Sequence, residues 1–249
     1  MIKFDPMKHR IPLLKRLIPS VKKRIARLTW WDGWAIRRLN GAVFLLNHRN
    51  VVDRQIAFYG DFEADQRRYL LSHISASGCD LFLDVGANMG LYSILAARGR
   101  LASRIVAFEP DERARVQMAA NLLMNGLLSK VEIVAKAVSK ETGSIEFLLS
   151  PNTVTGQSKV GGGAGAIQIE TVHLDDFLDA VGLRVFIKMD IEGHELEAIK
   201  GMERILTANK VFMQVECFAA NTPSLDEAMA TLGMKRRHRI DHDHYFSNF

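Results

Sequence analysis

The chain has 249 residues, of which 48% are apolar, and a formal net charge of +5; that is one large domain or two small ones with a real core, and it excludes a disordered chain. The basic surplus is local: residues 1–28 hold nine Lys and Arg against Asp5 alone, which leaves −3 for residues 29–249. The high pI therefore belongs to an N-terminal arm and does not argue for a nucleic-acid partner. Two cysteines, Cys79 and Cys217, exclude a disulfide framework and make a reducing, cytoplasmic compartment the default.

In the arm, Ile11, Leu14, Ile18, Val21, Ile25 and Leu28 recur at helical spacing, interrupted by Pro12 and Pro19. Trp30, Trp31 and Trp34 follow. A basic amphipathic arm with tryptophans can lie on the inner face of an anionic membrane as a peripheral contact; packing on the domain or on another subunit is the simpler expectation. No apolar run approaches the roughly 18 residues of a membrane span, and no uninterrupted apolar stretch follows the first charges, which argues against a signal peptide. The expected division is an arm over 1–40 and one domain over 41–249.

Gly41 to Val52 reads as a strand with a turn, or a strand pair, and a helix with Phe62, Tyr69 and Leu70 on its apolar face starts near Gly60 or Asp61. From Leu81 strands and helices alternate. Strands are expected at 81–85, 104–109 and 131–138, with helices at 88–98 and 111–125. Ser144–Leu149 and Ile167–Val172 read as a hairpin around a polar, glycine-rich connection containing Gly161–Gly165, the kind of loop that serves as a lid. A short helix from Asp175 precedes a strand at 184–189. A helix at 194–202, a strand at 211–216, a helix at 224–232 and a closing strand pair at 235–240 and 244–249 complete the pattern. Alternating strands and helices imply a doubly wound, mostly parallel α/β sheet.

Leu81–Ser93 organises the rest. The apolar run Leu81–Leu83 of a buried strand ends at Asp84, Gly86 and Gly90 shape a turn with Asn88 between them, and an apolar-periodic helix segment begins at Leu91. In such sheets a nucleotide-like ligand sits at the strand's carboxyl end. Gly86 lets a ligand approach the backbone, Asn88 is placed to cap the new helix, and Asp84 would repel a pyrophosphate and welcome a cation. Glu109 lies 19 positions beyond Gly90, suited to ribose hydroxyls. A nicotinamide fingerprint needs G-x-G-x-x-G; here the run is G-A-N-M-G-L. An adenosine ligand without pyrophosphate, S-adenosylmethionine, fits the acidic site better. At the end of the 184–189 strand, Lys188, Asp190, Glu192 and His194 gather with Glu216 from the next strand. Asp190 or His194 is the expected base for an alcohol nucleophile, with Lys188 and Glu216 facing the same crevice. His238, Asp241, His242, Asp243 and His244 crowd the C-terminus, but spacing secures no third ligand and no metal is expected.

The segments D-V-G-A-N-M-G (84–90), A-F-E-P (107–110), V-H-L-D-D-F-L (172–178), K-M-D-I-E-G-H-E-L-E-A-I-K-G (188–201), Q-V-E (214–216) and the ending Y-F-S-N-F resemble the FkbM family of S-adenosylmethionine-dependent methyltransferases. The resemblance runs in order from about residue 50 to the end. It implies a class I methyltransferase fold, Rossmann-like, with a seven-stranded sheet whose last strand is antiparallel. It implies O-methylation of a sugar or natural-product hydroxyl, and a cofactor site of Asp84, Gly86, Asn88, Gly90, Glu109 and Pro110, with Glu63 toward the methionine moiety and Ala137 near adenine. The rival expectation is a non-catalytic module that keeps the fold and binds a glycan or a membrane; a nucleotide-dependent oxidoreductase is a third.

Overall fold

The computed structural model of the chain describes residues 21, 23–25, 31–150 and 155–249. The periodicity of residues 1–20, Leu28, Trp30 and the side chain of Trp31 lie outside them. Residues 21 and 23–25 are helical, and Lys23 Nζ donates to Tyr59 Oη (3.2 Å).

A hairpin comes first. Strand β1 (Trp34–Leu39) pairs antiparallel with β2 (Ala42–Asn47). Asn40 and Gly41 both have positive φ, which is the two-residue turn that matches strand twist. The expected boundary at residue 40 falls in this turn. Helix α1 (Val51–Tyr59) follows, its N-terminus capped by Asn50, and α2 (Ala64–Ser77) starts after Glu63. Strand β3 (Leu81–Val85) leads into α3 (Leu91–Arg98), β4 (Arg104–Phe108), α4 (Glu112–Met124) and β5 (Glu132–Val134). A second group of strands is β6 (Ala137–Val138), β7 (Gly143–Leu148), β8 (Lys159–Val160) and β9 (Ala166–Val172). After α5 (Leu174–Phe177) come β10 (Arg184–Met189), α6 (Glu195–Lys200), α7 (Glu203–Ala208), β11 (Lys210–Glu216), α8 (Thr222–Thr231), β12 (Lys235–Ile240) and β13 (Asp243–Ser247).

The main sheet has the order β12-β13-β11-β10-β3-β4-β5. Neighbours from β5 to β11 are parallel, and β13 runs antiparallel to both β11 and β12. Strand order reverses between β3 and β10, which opens a crevice beyond their carboxyl ends. Strands buried on both faces read as continuous apolar runs, and alternate residues feed two cores. Phe82, Ile105, Phe186 and Phe212 face one layer. Leu83, Val106, Ile187 and Met213 face the other.

The hairpin is bound to α4 through amide side chains. Leu45 N–H donates to Asn121 Oδ1 (2.7 Å) and Val43 N–H to Asn125 Oδ1 (2.9 Å), while Gln117 Nε2 donates to Leu45 O (2.9 Å). These bonds satisfy part of the exposed strand edge and set Asn50–Val52 at the crevice.

Two expected elements are divided. The strand expected over 131–138 is split, β5 joining the main sheet and β6 the second sheet, whose order is β6-β9-β7-β8. The helix expected over 194–202 ends at Lys200. At Gly201 a Cβ would lie 2.0 Å from Ser139 O, and α7 begins anew with Asp175 accepting from the backbone N–H of Arg204 (2.7 Å) and Ile205 (2.9 Å). Asp175 thus stabilises a helix start 29 residues away in sequence. Asp243 and His244, from the acid- and histidine-rich C-terminal stretch, are buried in β13.

Candidate active site

Two adjoining cavities occupy the crevice. The first, with about 590 Å³ of open space, has walls of Val85, Phe108, Pro110, Ala137, Val138, Phe147 and Val160, with Glu109, Ser158 and His194 among its polar groups. The second, about 790 Å³, is lined by Asn50–Val52, Phe62, Glu63, Tyr92, Lys188 and Glu216. Gly86, Asn88, Gly156, Asp190 and Glu192 line both and form the partition.

Glu109 closes one end of the apolar chamber. Its two oxygens accept the backbone N–H of Asn88 and of Asp111, each at 2.8 Å. A carboxylate has further lone pairs, so two ribose hydroxyls remain within its capacity. Burial pushes its pKa up to about 7, and those same N–H donors oppose the rise. Asn88 does not cap α3 as expected. It sits at φ 50°, Gly90 occupies the N-cap position, and Asn88 Oδ1 is buried without a hydrogen-bond partner.

Asp84 and Gly90, expected to hold a ligand, lie behind the walls of these cavities. Asp84 Oδ2 accepts from Ser93 Oγ (2.6 Å) and Ser93 N–H (3.0 Å), tying β3 to α3, and its Oδ1 lacks a hydrogen-bond partner. Gly90 has φ 84°, and a Cβ there would meet Met118. Gly86 lines both chambers, but its missing Cβ makes room for protein: the place is taken by the Asp190 carbonyl oxygen, 1.9 Å from an ideal Cβ.

In the second chamber, Lys188 Nζ donates to Asp190 Oδ2 (3.2 Å) and lies 5.4 Å from the Tyr92 ring centre. Met189 and Val215 are paired across β10 and β11, so Asp190 and Glu216 leave adjacent strand ends side by side and share a hydrogen bond. Burial and the neighbouring Asp190 charge raise Glu216 to about 10. Burial works against the Asp190 carboxylate too, but Lys188 and the Glu216 hydrogen bond outweigh it and hold Asp190 below the usual carboxylate range. Lys188 is likewise penalised by burial and held protonated by Asp190, Asp84 and Glu63. The pair thus favours the charge on Asp190, beside the Lys188 ammonium, and the proton on Glu216.

His194 is placed apart from this group. It lines the apolar chamber, and its Nε2 is 3.0 Å from Ser139 Oγ. Burial lowers its pKa.

Several site residues carried no signal in the sequence. Tyr92 Oη donates to Glu63 (2.8 Å) and accepts from Gln214 Nε2 (3.2 Å), which also donates to Asp243 (2.7 Å). Gly156 and Ser158 line the chambers where the glycine-rich run Gly161–Gly165 does not. Ser158 Oγ donates to Asp111 Oδ2 (2.8 Å), and Arg113 binds Asp111 Oδ2 (2.6 Å) and Ser150 O (3.0 Å). Both flanks of this wall are fastened to the start of α4. Among the described residues, three of the seven non-glycine residues with positive φ, Glu63, Asn88 and Glu192, line the crevice, where strained backbone concentrates when geometry is set by function.

The sheet order, the single antiparallel strand between β11 and β12 and the crevice at the β3/β10 switch define a class I methyltransferase fold. Residues 84–239 match the Methyltransferase FkbM domain, and the chain belongs to that family. It is 30% identical over 163 residues to the hexuronic acid methyltransferase AglP of Haloferax volcanii, covering 65% of this chain and 64% of that protein. It is 27% identical over 151 residues to the 2-O-methyltransferase NoeI of Sinorhizobium fredii, covering 52% and 60%. The matches thus span under two thirds of these relatives' length. Among solved structures, an S-adenosylmethionine-dependent methyltransferase from Agrobacterium tumefaciens shares the fold with a TM-score of 0.50 at 12% identity, covering 87% of this chain and 70% of that one. The methyltransferase FkbM from Methylobacillus flagellatus is 23% identical with a TM-score of 0.48, covering 68% and 43%. Among the described residues, no helix is long and apolar enough to cross a membrane.

Proposed function

We propose that this protein is an S-adenosylmethionine-dependent O-methyltransferase acting on a hydroxyl of a sugar, glycolipid or natural product. One observation carries the reading: a largely apolar chamber ending in Glu109 opens across Gly86, Asn88 and Asp190 onto a chamber holding Lys188, Asp190 and Glu216. The residues suit the cofactor. Phe108, Ala137 and Phe147 offer apolar faces for a purine, Glu109 accepts from ribose, and Asn88 Oδ1 is a buried acceptor awaiting a donor. Bound there, S-adenosylmethionine supplies a methyl group activated by its sulfonium. The chain's part is to hold an acceptor hydroxyl in the second chamber and take its proton. Asp190 is the base, Lys188 keeps it ionised, and Glu216 donates to it. Glu63, positioned by Tyr92, faces the methionine end. His194 forms a wall of the nucleoside chamber. The sugar-directed names of the relatives support a hydroxyl acceptor. A boundary at residue 40 would divide the β1–β2 hairpin, so the same proposal keeps β1 with the catalytic domain; loss of liposome binding on deleting residues 1–28 would assign that segment to a membrane contact.

The direct test is ligand-induced stabilisation. S-adenosylhomocysteine at 100 times its Kd adds about 2.7 kcal/mol, roughly 5–10 °C in Tm for a chain of this size. Absence of a shift, or a shift with NAD(H) instead, removes the cofactor assignment and favours the non-catalytic or the oxidoreductase reading.

The shift should also depend on pH. Burial raises Glu63 and Glu109 to about 7 from an ordinary value of 4.5. In the free protein both keep protons that the unfolded chain has lost, so this contribution to stability is fully present below about 4.5 and is lost as pH rises to about 7. Ligand binding uses the ionised forms. The S-adenosylhomocysteine shift is therefore expected to be larger at pH 8 than at pH 6, read by thermal denaturation in matched buffers; an equal or reversed shift contradicts the role of these two carboxylates.

The individual contribution of Glu109 is tested by Glu109→Ala. Losing the acceptor for ribose and for the N–H groups of Asn88 and Asp111 is expected to weaken S-adenosylhomocysteine binding by about 2 kcal/mol or more, roughly thirtyfold in Kd by calorimetry.

A further inference from the structure

We propose that the acceptor hydroxyl belongs to an uncharged or amine-bearing molecule, a neutral or amino sugar in the simplest case, and that acceptors with a carboxylate beside that hydroxyl are rejected. This rests on the methyltransferase reading above and narrows it to a substrate class.

The argument is the charge inventory of the second chamber. Among the described residues, four of its lining side chains end in carboxyl groups, Glu63, Asp190, Glu192 and Glu216, of which Glu216 holds its proton, against one lining cation, Lys188. Among the described residues, no arginine or histidine lines it. Lys188 is committed: it contacts Asp190 at 3.2 Å, and Asp84 and Glu63 also act on it. A carboxylate entering with the acceptor would share that single ammonium with three acids already drawn to it. Burying a further anion without a partner, beside like charge, is strongly unfavourable.

Glu192 makes the bias specific. It stands on the partition between the chambers, two residues beyond Asp190, with its backbone at φ 54°. Burial and the nearby Asp190 and Glu195 raise it to about 7 against the opposing charges of Lys159 and Lys188, so the crowding of carboxyls outweighs the cations at this point. Hydroxyl groups meet no such penalty. Carboxylates accept from them. An ammonium beside the hydroxyl would gain a counter-charge from Glu192. The expectation departs from the Haloferax volcanii relative, a hexuronic acid methyltransferase.

The test uses the full chain saturated with S-adenosylhomocysteine and three para-nitrophenyl glycosides that differ in one group: the glucoside, the 2-amino-2-deoxyglucoside and the glucuronide. Saturation-transfer NMR reads binding, and labelled-methyl transfer from S-adenosylmethionine reads turnover. The neutral and amino glycosides are expected to bind, with the glucuronide weaker by at least about tenfold. Glu192→Gln is expected to narrow that gap severalfold. Equal or preferential binding of the glucuronide overturns the proposal, as does binding of none of the three, and a gap unchanged by Glu192→Gln removes its cause. If S-adenosylhomocysteine itself fails to stabilise the protein, the cofactor reading and this one fall together; if it stabilises the protein and the glucuronide wins, only this one falls.

Discussion

Asp190→Asn is expected to lower methyl transfer by about a thousandfold, within the range for losing a general base, while S-adenosylhomocysteine binding changes by only a few-fold. Asparagine fills the same space and cannot take the hydroxyl proton. The Lys188 contact at 3.2 Å keeps Asp190 ionised, so a free lone pair faces the second chamber at neutral pH. The substitution also leaves the Lys188 ammonium buried without its closest partner, which costs about 3 kcal/mol or more of stability. A fall in Tm is therefore expected beside the loss of rate, and cofactor binding measured below the lowered Tm separates the two. Glu216→Gln is the informative control. Glu216 is raised to about 10 and carries its proton, so a neutral amide that still donates to Asp190 should retain activity within about tenfold. His194→Ala, in the other chamber, should do the same. If Asp190→Asn retains near-wild-type turnover, Asp190 is not the base. If Glu216→Gln falls as far as Asp190→Asn, the proton sits on the wrong member of the pair.

The sequence was most legible where burial on both faces produced unbroken apolar runs. Leu81–Val85 and Arg184–Met189 were bounded to the residue, because each run stops at a polar or glycine break where the crevice begins. It was least legible where a partner is distant. Trp34–Leu39 mixes two arginines with apolar residues and reads as a strand only once paired with Ala42–Asn47. Val51–Tyr59 is short, and its placement depends on Asn50 and on Asp53, which accepts from Gln117 on α4 (2.7 Å). In the site, Glu109, Asp190 and Glu216 could be read because each terminates a strand of the main sheet. Tyr92 could not: it lies within an apolar helix start, and its role arises from Glu63 and Gln214, 29 and 122 positions away. Asp84 was read as facing a ligand because a strand's last carboxylate often does. Here Ser93 turns it inward.

Gly86→Ala is expected to be the most damaging single-methyl change in the protein. An L-residue at φ 80° is strained wherever it stands, by roughly 1–2 kcal/mol. At this position the added Cβ would also lie 1.9 Å from Asp190 O, 2.9 Å from Asp190 C and 3.0 Å from Ile191 Cγ2. The obstacle is backbone and cannot rotate away. Retreat is blocked on both sides, since Gly86 N–H donates to Phe108 O (2.9 Å) and Asp190 N–H to Val85 O (3.0 Å). Separating the two segments breaks the parallel pairing of β3 with β10 at the point where the chambers meet. A loss of about 4 kcal/mol or more is expected, roughly 8–16 °C in Tm, together with loss of S-adenosylhomocysteine binding. Gly193→Ala isolates the cause. Gly193 has φ 103° with nothing within 4 Å of its absent Cβ, so it incurs the backbone strain alone, about 1 kcal/mol. Equal Tm values for the two variants would refute the close approach of Gly86 to Asp190. A large difference would mean that the glycine of the turn after β3 serves to bring the proton acceptor on β10 against the cofactor's chamber, so that two segments 104 residues apart work as one site.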